Sequence, residues 1–316
     1  MAQETSILDP TIRHLLDELA IHAGPAIYEL TPEEARATLL RAQSGSVRKP
    51  DAQTRDWNVN SEKGVLRLRT IRPHGAGNYS PAILYFHGGG WVMGDATTHD
   101  RLVKELAVGT QATVVFVDYD RAPEHEYPVA IEQAYAATRY VSEHAEELGV
   151  DGTRLAVAGE SSGGNMATVV SLLAKQRSGP RIAGQLLLYP VTNADFKTSS
   201  YQQFADGPWL TRTAMQWFWN QYLPDQSKRK DPHASPLLAP LDQLAGLPRT
   251  LIITAENDVL RDEGEAYAQK LIESGVFTIS RRYTGVPHPF PHMKPIAKAV
   301  MYMDDICATL KMVHGV

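Results

Sequence analysis

From about residue 65 onward, short runs of β-branched and other apolar residues alternate with longer amphipathic stretches. Several of the runs are continuously apolar, which is typical of strands that are covered on both faces of a sheet. The pattern predicts seven strands, at residues 65–71, 82–86, 113–117, 155–158, 185–188, 250–254 and 277–282. It predicts helices at residues 129–147, 166–177 and 263–273. Strands that alternate with helices in this order indicate an α/β fold with a mostly parallel sheet and right-handed crossovers.

Two segments depart from this alternation. Residues 1–50 are predicted to form two helices, because Asp-Pro at 9–10 can begin one of them and Thr-Pro-Glu-Glu at 31–34 supplies an N-cap, a first-turn proline and a capping-box glutamate for the other. Residues 195–223 interrupt the strand rhythm with an aromatic-rich stretch that contains three of the five tryptophans. Its aromatic spacing suits a packed helix face, and the functional alternative is a lid over an apolar pocket.

Composition and charge exclude several classes of function. The 316 residues carry 31 Lys and Arg against 36 Asp and Glu, and no run of five like charges occurs, so we expect no nucleic-acid partner and no anionic lipid surface. No stretch of 18 apolar residues occurs, and the first six residues lack the basic and apolar regions of a leader peptide. We therefore expect a cytoplasmic protein without stable membrane insertion. Cys307 is the only cysteine, which excludes an intramolecular disulfide.

A Gly-x-Ser-x-Gly pentapeptide at 159–163 lies directly between a predicted strand and a predicted helix. A sharp strand-to-helix turn is the setting in which this motif presents a nucleophilic serine, here Ser161. The flanking glycines avoid clashes across the turn, where the serine backbone is strained. The N–H of Ser162 would open the helix and is predicted to stabilise an oxyanion. The alternative is a glycine-rich loop with an incidental serine.

A second motif, His-Gly-Gly-Gly-Trp at 87–91, follows the strand predicted at 82–86. Three successive glycines leave backbone N–H groups uncrowded, and Gly88 and Gly89 are the predicted donors of the second half of an oxyanion hole. A phosphate-binding loop is the alternative, but no Gly-Lys-Ser/Thr sequence follows. His87 itself is expected to be structural.

An activated serine requires a general base and an orienting carboxylate, and the chain order Ser, Asp, His directs the search downstream. Asp258 lies nearest the carboxyl end of the sixth predicted strand, where open α/β sheets build their sites, whereas Asp262 and Glu263 are expected in the first turn of the next helix. His288 and His292 both follow the last strand. His288 is favoured because it follows the strand more closely.

The combination of motifs over about residues 60–310 resembles the hormone-sensitive-lipase-like esterases of the α/β-hydrolase superfamily. The usual nucleophile motif of that family is Gly-Asp-Ser-Ala-Gly-Gly, and this chain has Glu160 and Ser162 in place of its Asp and Ala. The His-Gly-Gly-Gly motif is intact at 87–90.

Three further family segments have counterparts here. Tyr-Arg-Leu-Ala-Pro-Glu corresponds to residues 119–124 with two departures, and Asp-Pro-Leu-Arg-Asp-Glu matches residues 258–263, whose first Asp is the family's triad acid. His-Gly-Phe corresponds to residues 288–290. Pro289 replaces the glycine of that motif, which removes an N–H and restricts His288 towards extended conformations.

The resemblance implies an α/β-hydrolase fold whose catalytic domain spans residues 51–316. The helices of residues 1–50 and an insertion at about 195–223 would form a helical cap over the acyl and alcohol pockets. The implied substrate-binding side chains are Trp91, Met93, Phe204, Trp209 and Trp217.

The implied reaction is the hydrolysis of small hydrophobic esters with short-to-medium acyl chains by a serine carboxylesterase. His288 would deprotonate Ser161 for attack on the ester carbonyl, while Asp258 fixes the imidazole tautomer. The three N–H groups named above would hold the oxyanion, and water would then hydrolyse the acyl-enzyme. This chemistry requires no cofactor and no metal.

Two other functions are open on these residues. An amidase or deacetylase shares the triad and differs mainly in the protonation that its leaving group needs. A non-catalytic small-molecule receptor shares the fold, as in the plant gibberellin receptors of the family, which typically lack the triad histidine. The oligomeric state is open between a monomer and a homodimer, because dimers are common in the family.

Overall fold

The structure is a computed structural model that describes residues 8–21, 24–45, 47–292 and 297–314. The first six residues, on which the expectation of no leader peptide rests, lie outside this range. Only the backbone is described at residues 21, 292, 297–300 and 312–314. The side chain of His292, the alternative to His288, is therefore outside the described part.

An eight-stranded sheet forms the centre of the described chain, in the order β1-β2-β4-β3-β5-β6-β7-β8. In chain order the strands are β1 (Ala52–Ser61), β2 (Gly64–Pro73), β3 (Ser80–Phe86), β4 (Thr113–Asp118), β5 (Val150–Glu160), β6 (Gly184–Leu188), β7 (Arg249–Asn257) and β8 (Thr278–Pro287). β1 and β2 form an antiparallel hairpin, and β2 is antiparallel to β4. The six strands from β3 to β8 run parallel, which confirms the predicted fold class.

Helices cover both faces of this sheet. They are α1 (Pro10–Ile21), α2 (Pro32–Gln43), α3 (Asp100–Thr110), α4 (Val129–Glu143), α5 (Ser162–Gln176), α6 (Ser199–Gln203), α7 (Arg212–Tyr222), α8 (Leu241–Leu244), α9 (Arg261–Glu273) and α10 (Ala297–His314). Strand β3 shows the arrangement, because Leu84 and Phe86 pack into one apolar cluster while Ile83 and Tyr85 pack into the other. Continuous apolar strands therefore reflect burial on both faces.

The structure differs from the predicted elements at edges and ends. β1 was not predicted, because most of its residues are exposed and it pairs with β2 without an alternating apolar pattern. β8 continues to Pro287 instead of ending at residue 282, and α4 ends at Glu143 instead of residue 147. α5 begins at Ser162 rather than residue 166, because no loop separates it from β5.

Both segments outside the alternation contain helices. The predicted capping box of α2 is present, with Thr31 Oγ1 accepting the Glu34 N–H at 3.3 Å and Glu34 Oε2 accepting the Thr31 N–H at 2.9 Å. The segment 195–223 contains α6 and α7. Among the described residues, no helix combines the length and the apolar character that crossing a bilayer requires.

Leu84 at the centre of the sheet gives a test of this packing. Its side chain is fully buried, so Leu84→Ala is expected to lower the free energy of unfolding by about 2–5 kcal/mol through lost burial and a residual cavity. Leu241→Ala, at a leucine that is 46% exposed, is the matched control and is expected to change stability by about 0.5 kcal/mol or less. Urea unfolding followed by circular dichroism measures both. Equal losses in the two variants would contradict the packing described.

Candidate active site

Ser161 occupies a turn in which a strand passes directly into a helix. β5 ends at Glu160 and α5 begins at Ser162, so Ser161 alone makes the turn, with φ 57° and ψ −120°. Its N–H donates to the Leu188 carbonyl at 2.9 Å, and its own carbonyl accepts the N–H of Val191 at 3.0 Å. The surrounding backbone thus holds the serine in a strained conformation of the kind found at functional sites.

The two motif glycines make this turn sterically feasible. A Cβ atom on Gly163 would lie 1.9 Å from the carbonyl oxygen of Phe86, and a Cβ atom on Gly159 would lie 2.2 Å from the carbonyl oxygen of Gly163. Both clashes are with backbone, which has little freedom to move. Close backbone approach, as predicted, is therefore the reason for glycine at both positions.

Asp258 and His288 form a buried pair beside this turn. Asp258 follows the end of β7 and His288 follows the end of β8, and His288 Nδ1 lies 2.8 Å from Asp258 Oδ2. The other carboxylate oxygen of Asp258 accepts the Leu260 N–H at 2.9 Å. The imidazole meets the Tyr189 ring edge to face, at 4.6 Å between ring centroids. Pro289, which follows the histidine, does not keep the imidazole from the carboxylate.

The neighbouring acids Asp262 and Glu263 lie in the first turn of α9, as predicted. They also bind the loop that follows β6, which the sequence did not indicate. Glu263 Oε1 accepts the N–H groups of Thr192 at 2.6 Å and Asn193 at 3.1 Å, while burial raises the pKa of Glu263 well above its usual value. Asp262 accepts the Ser200 N–H at 2.7 Å.

The oxyanion loop, residues 87–91, faces Ser161 through its second and third glycines. Gly89 and Gly90 have φ values of 104° and 63° and line the same cavity as Ser161. Within the described part of the chain, neither of their N–H groups has a hydrogen-bond acceptor. The expectation for Gly88 is corrected, because its N–H donates to the carboxylate of Glu160 and is not free for a substrate. Gly90 takes its place among the candidate donors.

His87 has a packing environment, as expected for a structural residue. Its imidazole stacks against Tyr119 at 4.1 Å and Phe116 at 5.4 Å between ring centroids. Its Nδ1 lies 2.8 Å from the Gly88 carbonyl oxygen, and burial lowers the pKa of His87 well below its usual value. His87 is fully buried and does not line the cavity that contains Ser161.

A cavity of about 710 Å³ connects Ser161 and His288 with the N-terminal helices. Its walls come from α1, residues 24–27, α2, the oxyanion loop and residues 208–218. Two of the predicted pocket residues, Met93 and Trp209, line it. Trp209 is 48% exposed, which places it at the rim of the cavity.

The other three predicted pocket residues lie outside the cavity lining, which corrects that expectation. Trp91 is fully buried and stacks on Tyr222 at 4.1 Å between ring centroids. Phe204 is buried beneath the guanidinium of Arg261, at 5.4 Å. Trp217 is half-buried and meets Phe218 edge to face, at 5.1 Å between ring centroids. Aromatic enrichment therefore marked the core packing of this segment more than its pocket.

The inner face of α7 carries the pocket residues that sequence reasoning missed. Ala214, Met215 and Phe218 line the cavity, and their i, i+1 and i+4 spacing is that of one helix face. Aromatic side chains dominate the sequence pattern around Trp217, whereas Ala214 and Met215 belong to no motif. Periodicity within the helix was the signal that would have found them.

Arg36 ties α2 to the segment that follows the oxyanion loop. Its Nε donates to the Val92 carbonyl at 2.8 Å and its Nη2 to the Ala122 carbonyl at 2.8 Å. The guanidinium also forms a bidentate pair with the Glu124 carboxylate, at 2.8 and 2.6 Å. These hydrogen bonds lower the pKa of Glu124 to about 2. One side chain thus joins a cavity wall to the oxyanion loop.

Comparison with known proteins relates this chain to hydrolases along most of its length. The model of a family with the alpha/beta hydrolase fold matches residues 83–292. Carboxylesterase NlhH of Mycobacterium tuberculosis is 39% identical over 271 residues, which cover 85% of this chain and 84% of that protein. A putative alpha/beta hydrolase, R526, of Acanthamoeba polyphaga mimivirus is 40% identical over 292 residues, covering 92% and 83%.

Solved structures agree with this relationship. The crystal structure of a thermostable esterase from Pseudomonas putida superposes with a TM-score of 0.96 at 44% identity, covering all of both chains. An identity of 44% over the whole chain indicates common ancestry as well as a shared fold.

The Arg36–Glu124 pair predicts a pH dependence of stability. The folded-state pKa of Glu124, about 2, lies below the ordinary 4.5, so the pair stabilises the folded chain above about pH 4.5 and this contribution is lost as the pH falls towards 2. Arg36→Gln should therefore reduce the urea midpoint more at pH 7 than at pH 3. The Glu124 side chain is 55% exposed, so screening keeps the difference small. Arg41→Gln, on the same helix, is the control, and an equal deficit of Arg36→Gln at both pH values would contradict the pairing.

Proposed function

Because this chain belongs to the hormone-sensitive-lipase-like esterases of the α/β-hydrolase superfamily, and is a carboxylic ester hydrolase, we propose that Ser161, His288 and Asp258 perform the hydrolysis through an acyl-enzyme. One observation carries the proposal. The Asp258–His288 hydrogen bond, at 2.8 Å, lies beside a cavity that also contains the strained Ser161. Nucleophile, base and orienting acid thus follow the carboxyl ends of β5, β8 and β7 at one edge of the sheet.

In the first step, His288 Nε2 takes the proton of Ser161 Oγ as this oxygen attacks the ester carbonyl carbon. Asp258, fully buried and bonded to Nδ1, holds the ring in the tautomer whose Nε2 is free and stabilises the imidazolium that forms. Collapse of the tetrahedral intermediate breaks the carbon–oxygen bond to the alcohol. The imidazolium gives its proton to that leaving oxygen.

The negative oxygen of the intermediate accepts hydrogen bonds from N–H groups on two sides of the serine. Gly89 and Gly90 supply one side, and the N–H of Ser162 at the start of α5 supplies the other. The same three groups serve the second step, in which His288 deprotonates a water molecule that attacks the acyl-enzyme. Collapse of the second tetrahedral intermediate breaks the bond between the acyl carbon and Ser161 Oγ, the imidazolium returns its proton to Oγ, and the carboxylic acid leaves.

The substrate class follows from the cavity. We infer that α1, α2 and residues 195–223 act as a cap, since side chains from all three lie around Ser161. The wall contains Leu16, Leu39, Leu210 and Met215, so it favours apolar acyl and alcohol groups. Both groups of the ester share this cavity of about 710 Å³, and the family resemblance favours short-to-medium acyl chains.

Removal of the nucleophile tests the mechanism. Ser161→Ala is expected to lower kcat for p-nitrophenyl butyrate by about 10³- to 10⁶-fold, because no other group takes over the attack. Ser171→Ala is the matched control, since this buried serine lies on α5 and donates only to the Ala167 carbonyl of its own helix, at 3.0 Å. Its activity should equal that of the wild type. Turnover that persists in Ser161→Ala would refute the assignment.

The acyl-chain preference tests the proposed substrate class. With p-nitrophenyl esters of two to sixteen carbons, kcat/KM is expected to be highest at short chains and to fall beyond about ten carbons, which is the preference that the family resemblance implies. The matching p-nitroanilides should react far more slowly, since an amide leaving group needs more protonation. A maximum at long chains, or faster anilide cleavage, would contradict the proposed substrate class.

A further inference from the structure

The residues on either side of Ser161 both reach the oxyanion loop. We propose that Glu160 and Ser162 are positioning residues that hold this loop at both ends, so that the Gly89 and Gly90 N–H groups between them stay aimed at the reacting carbonyl oxygen. The inference rests on the proposed serine mechanism. It assigns a role to the two positions at which this chain departs from the nucleophile motif of its family.

The first attachment is made by Glu160, the last residue of β5. Its side chain is 3% exposed, and its carboxylate accepts the Gly88 N–H. The contact is close, because a Cβ atom on Gly88 would lie 2.0 Å from Glu160 Oε2. The peptide between His87 and Gly88 is therefore fixed against the end of the strand that carries the nucleophile.

His99 orients this carboxylate. Its Nε2 lies 2.9 Å from Glu160 Oε1, and its Nδ1 lies 2.9 Å from Thr98 Oγ1. His99 is itself buried, with a side chain that is 3% exposed. A buried carboxylate needs such partners, since an unpaired one is costly to bury. The Gly88 N–H and His99 Nε2 meet at the same oxygen, Oε1, so His99 holds that oxygen in place against Gly88.

The second attachment is made by Ser162, the first residue of α5. Its Oγ accepts the Trp91 N–H at 3.2 Å. The Trp91 carbonyl in turn accepts the Ala122 N–H at 2.9 Å, and the indole is stacked on Tyr222. The far end of the loop is thereby fixed to the helix that begins at the nucleophile.

The two attached residues bracket the two free donors. Gly89 and Gly90, between Gly88 and Trp91, are glycines with positive φ, and such residues have little intrinsic preference for one backbone orientation. An oxyanion hole stabilises a transition state only if its donors are already aligned when charge develops. Fixing residues 88 and 91 supplies that alignment. Ground-state binding depends on this alignment far less. Loss of the clamp, which is the pair of attachments through Glu160 and Ser162, should therefore lower kcat with little change in KM.

The clamp requires a hydrogen-bond acceptor at position 160 and does not require its charge. Glu160→Gln keeps one side-chain oxygen at the position of Oε1, which can accept both the Gly88 N–H and a His99 Nε2–H, so it is expected to keep kcat within about threefold of wild type. Glu160→Leu removes the acceptor at similar volume and is expected to lower kcat by about 100-fold, with KM changed by less than about threefold. The paired variants separate hydrogen bonding from packing.

Ser162→Ala tests the other end with a smaller change. It deletes one hydroxyl and keeps the backbone N–H, so kcat is expected to fall by about tenfold with KM nearly unchanged, while the unpaired Trp91 N–H lowers the thermal midpoint by about 2–4 °C. Ser171→Ala, on the same helix, again serves as the control. Should Glu160→Leu fail to fold, Ser162→Ala decides the question alone.

Inhibitors give a readout that a merely structural role would not move. An aryl trifluoromethyl ketone adds to the serine and places an oxyanion in the hole, whereas the matching methyl ketone binds mainly as a ground-state analogue. In Ser162→Ala and Glu160→Leu, the Ki of the trifluoromethyl ketone should rise by about the factor lost in kcat/KM, and that of the methyl ketone should stay constant.

The outcomes separate this inference from the proposed function. If Ser161→Ala is inactive while Ser162→Ala and Glu160→Leu keep wild-type kcat and trifluoromethyl ketone affinity, the clamp is wrong and the serine mechanism stands. Equal weakening of both ketones would also overturn the clamp, since it would indicate a distorted pocket. If Ser161→Ala retains turnover, the proposed mechanism fails, and the clamp fails with it.

Discussion

The site depends on one backbone constraint, the turn in which Ser161 alone joins β5 to α5. This turn places the serine at the carboxyl edge of a parallel sheet, where the ends of β7 and β8 also bring Asp258 and His288. It further places Glu160 and Ser162 on opposite sides of the nucleophile, each within reach of the oxyanion loop. Glycine at 159 and 163 is needed because any side chain there would meet backbone.

Burial at the turn contrasts with exposure in the walls of the cavity. Most residues of α5 are buried, whereas Ala35 is the one buried residue of α2 and the rim residue Trp209 is 48% exposed. Arg36 is the bridge between the two parts, since it joins α2 to the carbonyl of Val92 beside the oxyanion loop. A change in α2 therefore has a hydrogen-bonded and covalent route, through Val92, to the Gly89 and Gly90 N–H groups that we propose as oxyanion donors.

Much of this arrangement could be predicted from the sequence, for physical reasons that differ between its parts. Buried parallel strands such as β3 and β4 are continuous apolar runs and were predicted for that reason, whereas β1 was not predicted, because its backbone pairs at an exposed edge. Ser161, Asp258 and His288 were predicted from motif and chain order. The direction of an N–H is set by tertiary contacts, so the engagement of Gly88 with Glu160 could not be read from three identical glycines. The prediction that Trp91 and Phe204 line the pocket was wrong, because aromatic composition does not distinguish a core residue from a pocket residue.

Ser161 is the group that we propose becomes covalently bonded during turnover. Trapping Ser161 with a covalent inhibitor tests this proposal most directly. A stoichiometric p-nitrophenyl phosphonate should release one nitrophenolate per chain, and peptide mass spectrometry should find the phosphonyl group on Ser161, with no adduct in His288→Ala because the serine is then not activated. An adduct on another residue, or no adduct at all in an actively hydrolysing wild-type protein, would contradict the acyl-enzyme mechanism.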